Sequence, residues 1–168
     1  PPIGVIGLGT MGLGIAQVAT RAGFKTILVK MTPGNVDAVR KKIETGFAKE
    51  VEKGRMTAEA QQAAVGNLVT TSDLGALKDA DIVIESIVED LPTKHAAFDK
   101  LESICRPDAV FASNTSTLGI TEMAVKTKRP DRFIGLHFFN PVAVMKLGAM
   151  ATTPGTEPEV TASVKKLV

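Results

Sequence analysis

An apolar run near the start of the chain ends in a glycine loop, and the pair strongly restricts the folds open to the residues after it. Ile3-Gly4-Val5-Ile6-Gly7-Leu8 is short and almost continuously apolar, as suits a parallel strand covered on both faces. Gly7-Leu8-Gly9-Thr10-Met11-Gly12 then has the spacing G-x-G-x-x-G. Alone, that pattern is weak. Here it leaves a strand and opens a helix over Met11–Ala22, with Ile15, Val18 and Ala19 on one face and Gly23 as a stop. In this setting the first glycine permits a tight turn. The second lets backbone approach a pyrophosphate, and the third lets helix and strand pack closely. The helix N-terminus presents free N–H groups to the phosphate. The loop therefore predicts dinucleotide binding, with about the first 90 residues forming a βαβ-containing unit.

The rest of the chain extends the same architecture. Strands are expected at Lys25–Val29, Leu68–Thr70, Asp81–Val88, Ala109–Ala112, Arg132–Leu136 and, last, within Val142–Ala151. Helices are expected from Thr32-Pro33 to about Gly54, after Thr57 as N-cap with Ala60 three residues on, and over Pro92–Ile104. The alternation predicts one α/β domain over residues 1–168. Its fold is expected to be Rossmann-type, a doubly wound and mostly parallel sheet.

Totals exclude several classes. Net charge is +2 with both signs interleaved, which gives no support for a nucleic-acid partner. No stretch approaches the ~20 apolar residues of a membrane span, so no membrane insertion is expected. One cysteine, Cys105, rules out an internal disulfide and a thiolate-rich metal site, and no metal is expected. No G-x-S-x-G elbow supports a serine hydrolase. Of the two histidines, His95 reads as a solvated helix residue.

Two further segments carry chemistry. Ser113-Asn114-Thr115-Ser116 and Leu136-His137-Phe138-Phe139-Asn140-Pro141 each follow a strand end. Ligands of open parallel sheets lie beyond the carboxyl ends of strands, so both segments should face the cofactor cleft. A hydroxyl and an imidazole there could orient and deprotonate an alcohol. One position departs from the dinucleotide pattern. An acid about 20 residues past the loop should bond the ribose hydroxyls. Lys30 stands there, and the nearest acid beyond it, Asp37, lies in the next helix. A lysine cannot accept those bonds but can pair with a 2′-phosphate. NAD is the expected cofactor, and NADP is the alternative that Lys30 raises.

These segments, with Ile84-Glu85-Ser86-Ile87-Val88-Glu89, make the chain resemble the NAD-binding domain of the 3-hydroxyacyl-CoA dehydrogenases of fatty-acid β-oxidation. The resemblance runs over essentially all 168 residues. It implies an acyl-CoA substrate, with His137 as the base at the 3-hydroxyl and Ser116 bonding the substrate oxygen near the nicotinamide. It also implies that Gly7, Leu8, Gly9, Thr10, Met11, Gly12, Glu89, Lys94, Ser116 and Asn140 contact the cofactor. Lys53 matches, with looser spacing, a lysine near the CoA moiety. The family pairs its histidine with a glutamate twelve residues on, where this chain has Ala149. It also carries a C-terminal helical domain, which closes the cleft and mediates dimerisation; that domain is expected to be absent here. Hydride transfer with impaired turnover is thus expected, against the alternative of a non-catalytic dinucleotide-binding or structural homologue. The resemblance implies bacterial cytoplasm, or mitochondria or peroxisomes in a eukaryote.

Overall fold

A computed structural model describes residues 2–7, 10–31, 36–87, 91–113, 122–125, 127, 129–138 and 147–152; for 10, 11, 91, 136–138 and 147–152 it describes backbone only. The elements run β1 (Ile3–Ile6), α1 (Thr10–Arg21), β2 (Thr26–Val29), α2 (Val36–Glu52), α3 (Ala58–Gly66), β3 (Leu68–Thr71), β4 (Ile82–Glu85), α4 (Leu91–Ile104), β5 (Val110–Ser113), β6 (Phe133–Phe138) and β7 (Leu147–Thr152). Short 3-10 turns cover Leu74–Leu77 and Pro130–Arg132. The strands form one sheet in the order β3-β2-β1-β4-β5-β6-β7. All pairings are parallel except β6 with β7.

In β1, β2, β4 and β5 alternate residues serve opposite cores, which is why these strands read as largely apolar runs. Ile3, Val5, Leu28, Ile82, Ile84, Val110 and Ala112 pack with Ile15 and Ala16 of α1 and Ile43 and Phe47 of α2. Ile6, Ile27, Val29, Val83, Phe111 and Phe133 pack on the other face with Leu77, Phe98 and Leu101. Phe98 is central there, its ring 5.3 Å from that of Phe111 and edge-on to Phe133 at 4.9 Å. The expected N-cap is present: Thr57 Oγ1 accepts from the Ala60 N–H at 3.1 Å.

Arg129 ties the lower part of the second core. It is 5% exposed and lies 4.2 Å above the Phe111 ring. Its guanidinium donates to the carbonyls of Arg106 and Ala109 at 2.7 and 2.8 Å and pairs with Glu102 at 3.1 Å. Its loss leaves an uncompensated carboxylate and two stranded carbonyls. Arg129→Met is expected to cost about 3 kcal/mol in urea denaturation. Arg129→Lys should recover little, because an ammonium cannot span the same fork of acceptors. A loss below about 1 kcal/mol for Arg129→Met would contradict this account.

Three sequence expectations need correction. β4 ends at Glu85, earlier than Val88; past it the Ile87 N–H donates to the Glu85 carboxylate and not to a neighbouring strand. β6 continues through His137 to Phe138, because β7 pairs with it and prolongs the strand. His95 is only half-exposed, and its buried Nε2 has no hydrogen-bond partner among the described residues, since α4 turns that edge inward. The Thr32-Pro33 helix start lies outside the described residues.

Candidate functional site

The parallel strands place their carboxyl ends on one edge of the sheet, and β1 and β4 meet where the chain switches direction across it. Gly7 leaves β1 with φ +110°, a conformation that strains any L side chain. A Cβ there would overlap the Ser86 carbonyl oxygen and lie 2.7 Å from its carbon. At Gly12, in the first turn of α1, a Cβ would overlap the Gly7 carbonyl oxygen and lie 2.9 Å from its carbon. The loop, the helix start and the exit of β4 are thus in direct backbone contact. The free N–H groups at the start of α1 beside this turn are chemically suited to a pyrophosphate. Thr10 and Met11 open α1, while Leu8 and Gly9 lie outside the described residues.

The fit changes at the end of β2. Lys30 is half-buried, and its backbone N–H donates to the Thr71 carbonyl at 2.9 Å, extending the β2–β3 ladder by one bond. Its side chain offers donors alone where a ribose diol needs an acceptor. Asp37 sits in the first turn of α2.

Beyond β4 lies a polar cluster in which sequence reasoning gave a role to Lys94 but none to Glu85. Glu85, Lys94 and Ser113 are all fully buried. Lys94 Nζ is 3.1 Å from Glu85 Oε2, which also accepts the Ile87 N–H at 2.7 Å. The Ser113 hydroxyl donates to Glu85 Oε1 in a very short bond. Burial raises the Glu85 carboxyl above the usual glutamate range, and Ser113, Lys94 and the Ile87 N–H pull back against it. The signal was a lone acid closing the apolar run Ile82–Ile84, opposite Ser113 in the parallel register.

Lys94 was expected to meet the cofactor, and it projects from α4 into this cluster. His137 lies on β6, one strand beyond β5, and its register partner on β7 is Ala149. A register irregularity follows between His137 and Phe138. Glu89, Ser116 and Asn140 lie outside the described residues. Ser113, three residues before Ser116, closes β5 at the same edge. Lys53 stands apart from this group. It lines a cleft of about 550 Å³ with Arg21, Lys49, Gly46 and Glu50, along the C-terminal halves of α1 and α2. A helix of the 17 residues of α2 is about 25 Å long, so Lys53 is far from the start of α2.

Cys105 is buried, and burial pushes its thiol up to about 11. Among the described residues, no group of three or more His, Cys, Asp or Glu could hold a metal ion. No helix among them is long and apolar enough to cross a membrane.

Comparison with known proteins points the same way as this geometry. A family model described as 3-hydroxyacyl-CoA dehydrogenase, NAD binding domain, matches residues 2–168. The chain is 40% identical over 167 residues to a probable 3-hydroxybutyryl-CoA dehydrogenase of Bacillus subtilis, covering 97% of this chain and 58% of the relative. It is 41% identical over 145 residues to a 3-hydroxybutyryl-CoA dehydrogenase of Clostridioides difficile, covering 86% and 52%. Among solved structures, a 3-hydroxybutyryl-CoA dehydrogenase from Escherichia coli superposes with a TM-score of 0.92 at 36% identity, over 99% of this chain and 35% of that one. The chain thus spans about half the length of the curated relatives it matches.

Proposed function

Because the chain belongs to the NAD-binding domain family of the 3-hydroxyacyl-CoA dehydrogenases, we propose that it is the cofactor half of an enzyme interconverting 3-hydroxyacyl-CoA and 3-oxoacyl-CoA. The observation that carries the reading is the strand order β1-β4-β5-β6. It sets Gly7, the Glu85–Lys94 pair, the end of β5 at Ser113 and the strand that carries His137 side by side at one sheet edge. NAD supplies a hydride acceptor when bound. Ser116 orients the substrate oxygen, and His137 takes the proton of the 3-hydroxyl as the C3–H bond breaks, so that the carbonyl forms without a free alkoxide. Lys53, Lys49 and Arg21 offer a basic cleft to the phosphates of an acyl-CoA, whose long arm keeps them away from the reacting carbon.

Two positions weaken this machinery. Register partners in an antiparallel pair carry their substituents on one face, so Ala149 leaves His137 without a carboxylate at the matching position. Lys30 removes the ribose acceptor. Ala149 also favours a second reading, a dinucleotide-binding homologue with no turnover. In either case this chain alone is expected to bind dinucleotide weakly and to turn over little acetoacetyl-CoA.

Calorimetric titration with NADH and, separately, NADPH at low and moderate salt tests the cofactor reading. The expected result is measurable NADH binding with no preference for NADPH, the glycine loop carrying the affinity. Tighter, salt-sensitive NADPH binding would mean that Lys30 meets a 2′-phosphate, and would overturn the NAD preference. Binding of neither would leave only the structural-homologue reading. An acetoacetyl-CoA turnover near that of a complete dehydrogenase would sink the expectation of impairment.

A further inference from the structure

The hydrogen bonds of Glu85 among the described residues join segments that flank both the glycine turn and the strand that carries His137. Glu85 is the last residue of β4, fully buried, and the three residues before it are apolar. A buried glutamate costs stability unless each of its oxygens is satisfied, and an apolar residue of similar volume would serve the core at least as well. Its partners come from three separate elements. Ile87 N–H belongs to the exit of β4, Lys94 to α4 and Ser113 to the end of β5.

Each partner leads to one wall of the proposed cofactor cleft. Ser86, held between Glu85 and the bonded Ile87, donates its N–H to the Ile6 carbonyl at 2.8 Å, and its own carbonyl lies against Gly7. Moving this exit moves the glycine turn. Lys94 is the cation that α4 brings toward the same edge. Ser113 is the fixed end of the segment leading to Ser116.

We propose that Glu85 is a positioning residue for dinucleotide binding. Its one carboxylate holds the β4 exit behind Gly7, the Lys94 ammonium and the end of β5 in a single geometry. The proposal rests on the reading of this edge as a dinucleotide cleft. Rigid second-layer partners of this kind set how well a binding group is aimed. A carboxylate accepting from an ammonium, a hydroxyl and an amide fixes three elements relative to one another, whereas an amide in its place offers only one oxygen acceptor.

The test is a double-mutant cycle on the whole 168-residue chain. NADH affinity is measured by calorimetry well below each variant's thermal midpoint for the parent, Glu85→Gln, Lys94→Met and the double variant. Glu85→Gln is expected to weaken NADH binding at least tenfold. On the Lys94→Met background the same change should cost clearly less than in the parent, because one of the three contacts through which Glu85 acts is already gone. A folded Glu85→Gln that binds NADH within twofold of the parent would overturn the proposal, as would losses that simply multiply in the double variant.

If Glu85→Gln does not fold, Ser113→Ala carries the test, because it leaves the ion pair in place. It should weaken NADH binding threefold or more while its thermal midpoint stays within a few degrees; unchanged affinity would overturn the proposal. Failure of the parent to bind NADH would remove the dinucleotide reading itself. Parent binding with unaffected variants would remove the role of Glu85 alone.

Discussion

Gly12→Ala is expected to weaken NADH binding at least 100-fold, about 2.7 kcal/mol. The added methyl would overlap the Gly7 carbonyl oxygen and lie 2.9 Å from the carbon behind it. Both are backbone atoms, so no flexible side chain can swing away. Gly7 itself packs against the β4 exit, where a Cβ on it would overlap the Ser86 carbonyl oxygen. The start of α1 must therefore move off β1, carrying its free N–H groups away from the pyrophosphate. Overpacking of this kind also costs about 1–3 kcal/mol of stability, so affinity should be read well below the thermal midpoint. Gly66→Ala is the control. The chemical change is the same, a Cβ there meets nothing within 4 Å, and NADH affinity should not move. Retention of parental affinity by Gly12→Ala would mean that the dinucleotide does not sit on this turn.

Under the proposed function, Ala149→Glu is expected to raise acetoacetyl-CoA reduction about 10²-fold over the parent chain, and His137→Asn to remove it in both backgrounds. Strand register is the reason. His137 and Ala149 are paired residues of β6 and β7, so a glutamate at 149 enters the sheet at the register position opposite His137. A carboxylate there orients the ring and stabilises the imidazolium formed when the proton transfers. NADH oxidation with saturating acetoacetyl-CoA, followed by absorbance for all four proteins, gives the answer. If Ala149→Glu leaves the rate unchanged, the missing carboxylate is not what limits the chain. A rate that survives His137→Asn removes His137 as the base.

The order of strands and helices was legible because the central strands face two cores and so read as short apolar runs. Ile3–Ile6, Thr26–Val29 and Ile82–Glu85 carry that signal in consecutive residues. The glycine spacing located the phosphate turn, and Thr57 announced its helix through a bond only three residues long. What escaped depends on partners distant in sequence. Glu85 meets Ser113, 28 residues away, and a carboxylate closing an apolar strand carries no local sign of that. Arg129 reaches back 27 residues to Glu102, so its role as a tie could not be seen in its own neighbourhood. The end of β6 was misjudged for the same reason: only pairing with β7, itself a weak run of small residues, keeps His137 within a strand.

Cys105 turns the packing of the second core into something that can be timed. It is the sole cysteine of a chain with neither tryptophan nor tyrosine, so the usual optical reporters of folding are missing. Its sulfur is buried, donates to the Leu77 carbonyl at 3.6 Å and holds its proton up to about 11. A thiol reagent can modify it only when the end of α4 opens toward solvent and a thiolate forms. The rate of labelling in native buffer thus reads the free energy of that opening at one defined place, without denaturant. The same lack of indole and phenol leaves the fluorescence of added NADH free of energy transfer from those rings. Cofactor capture and core opening can therefore be followed in one sample by two signals that do not overlap.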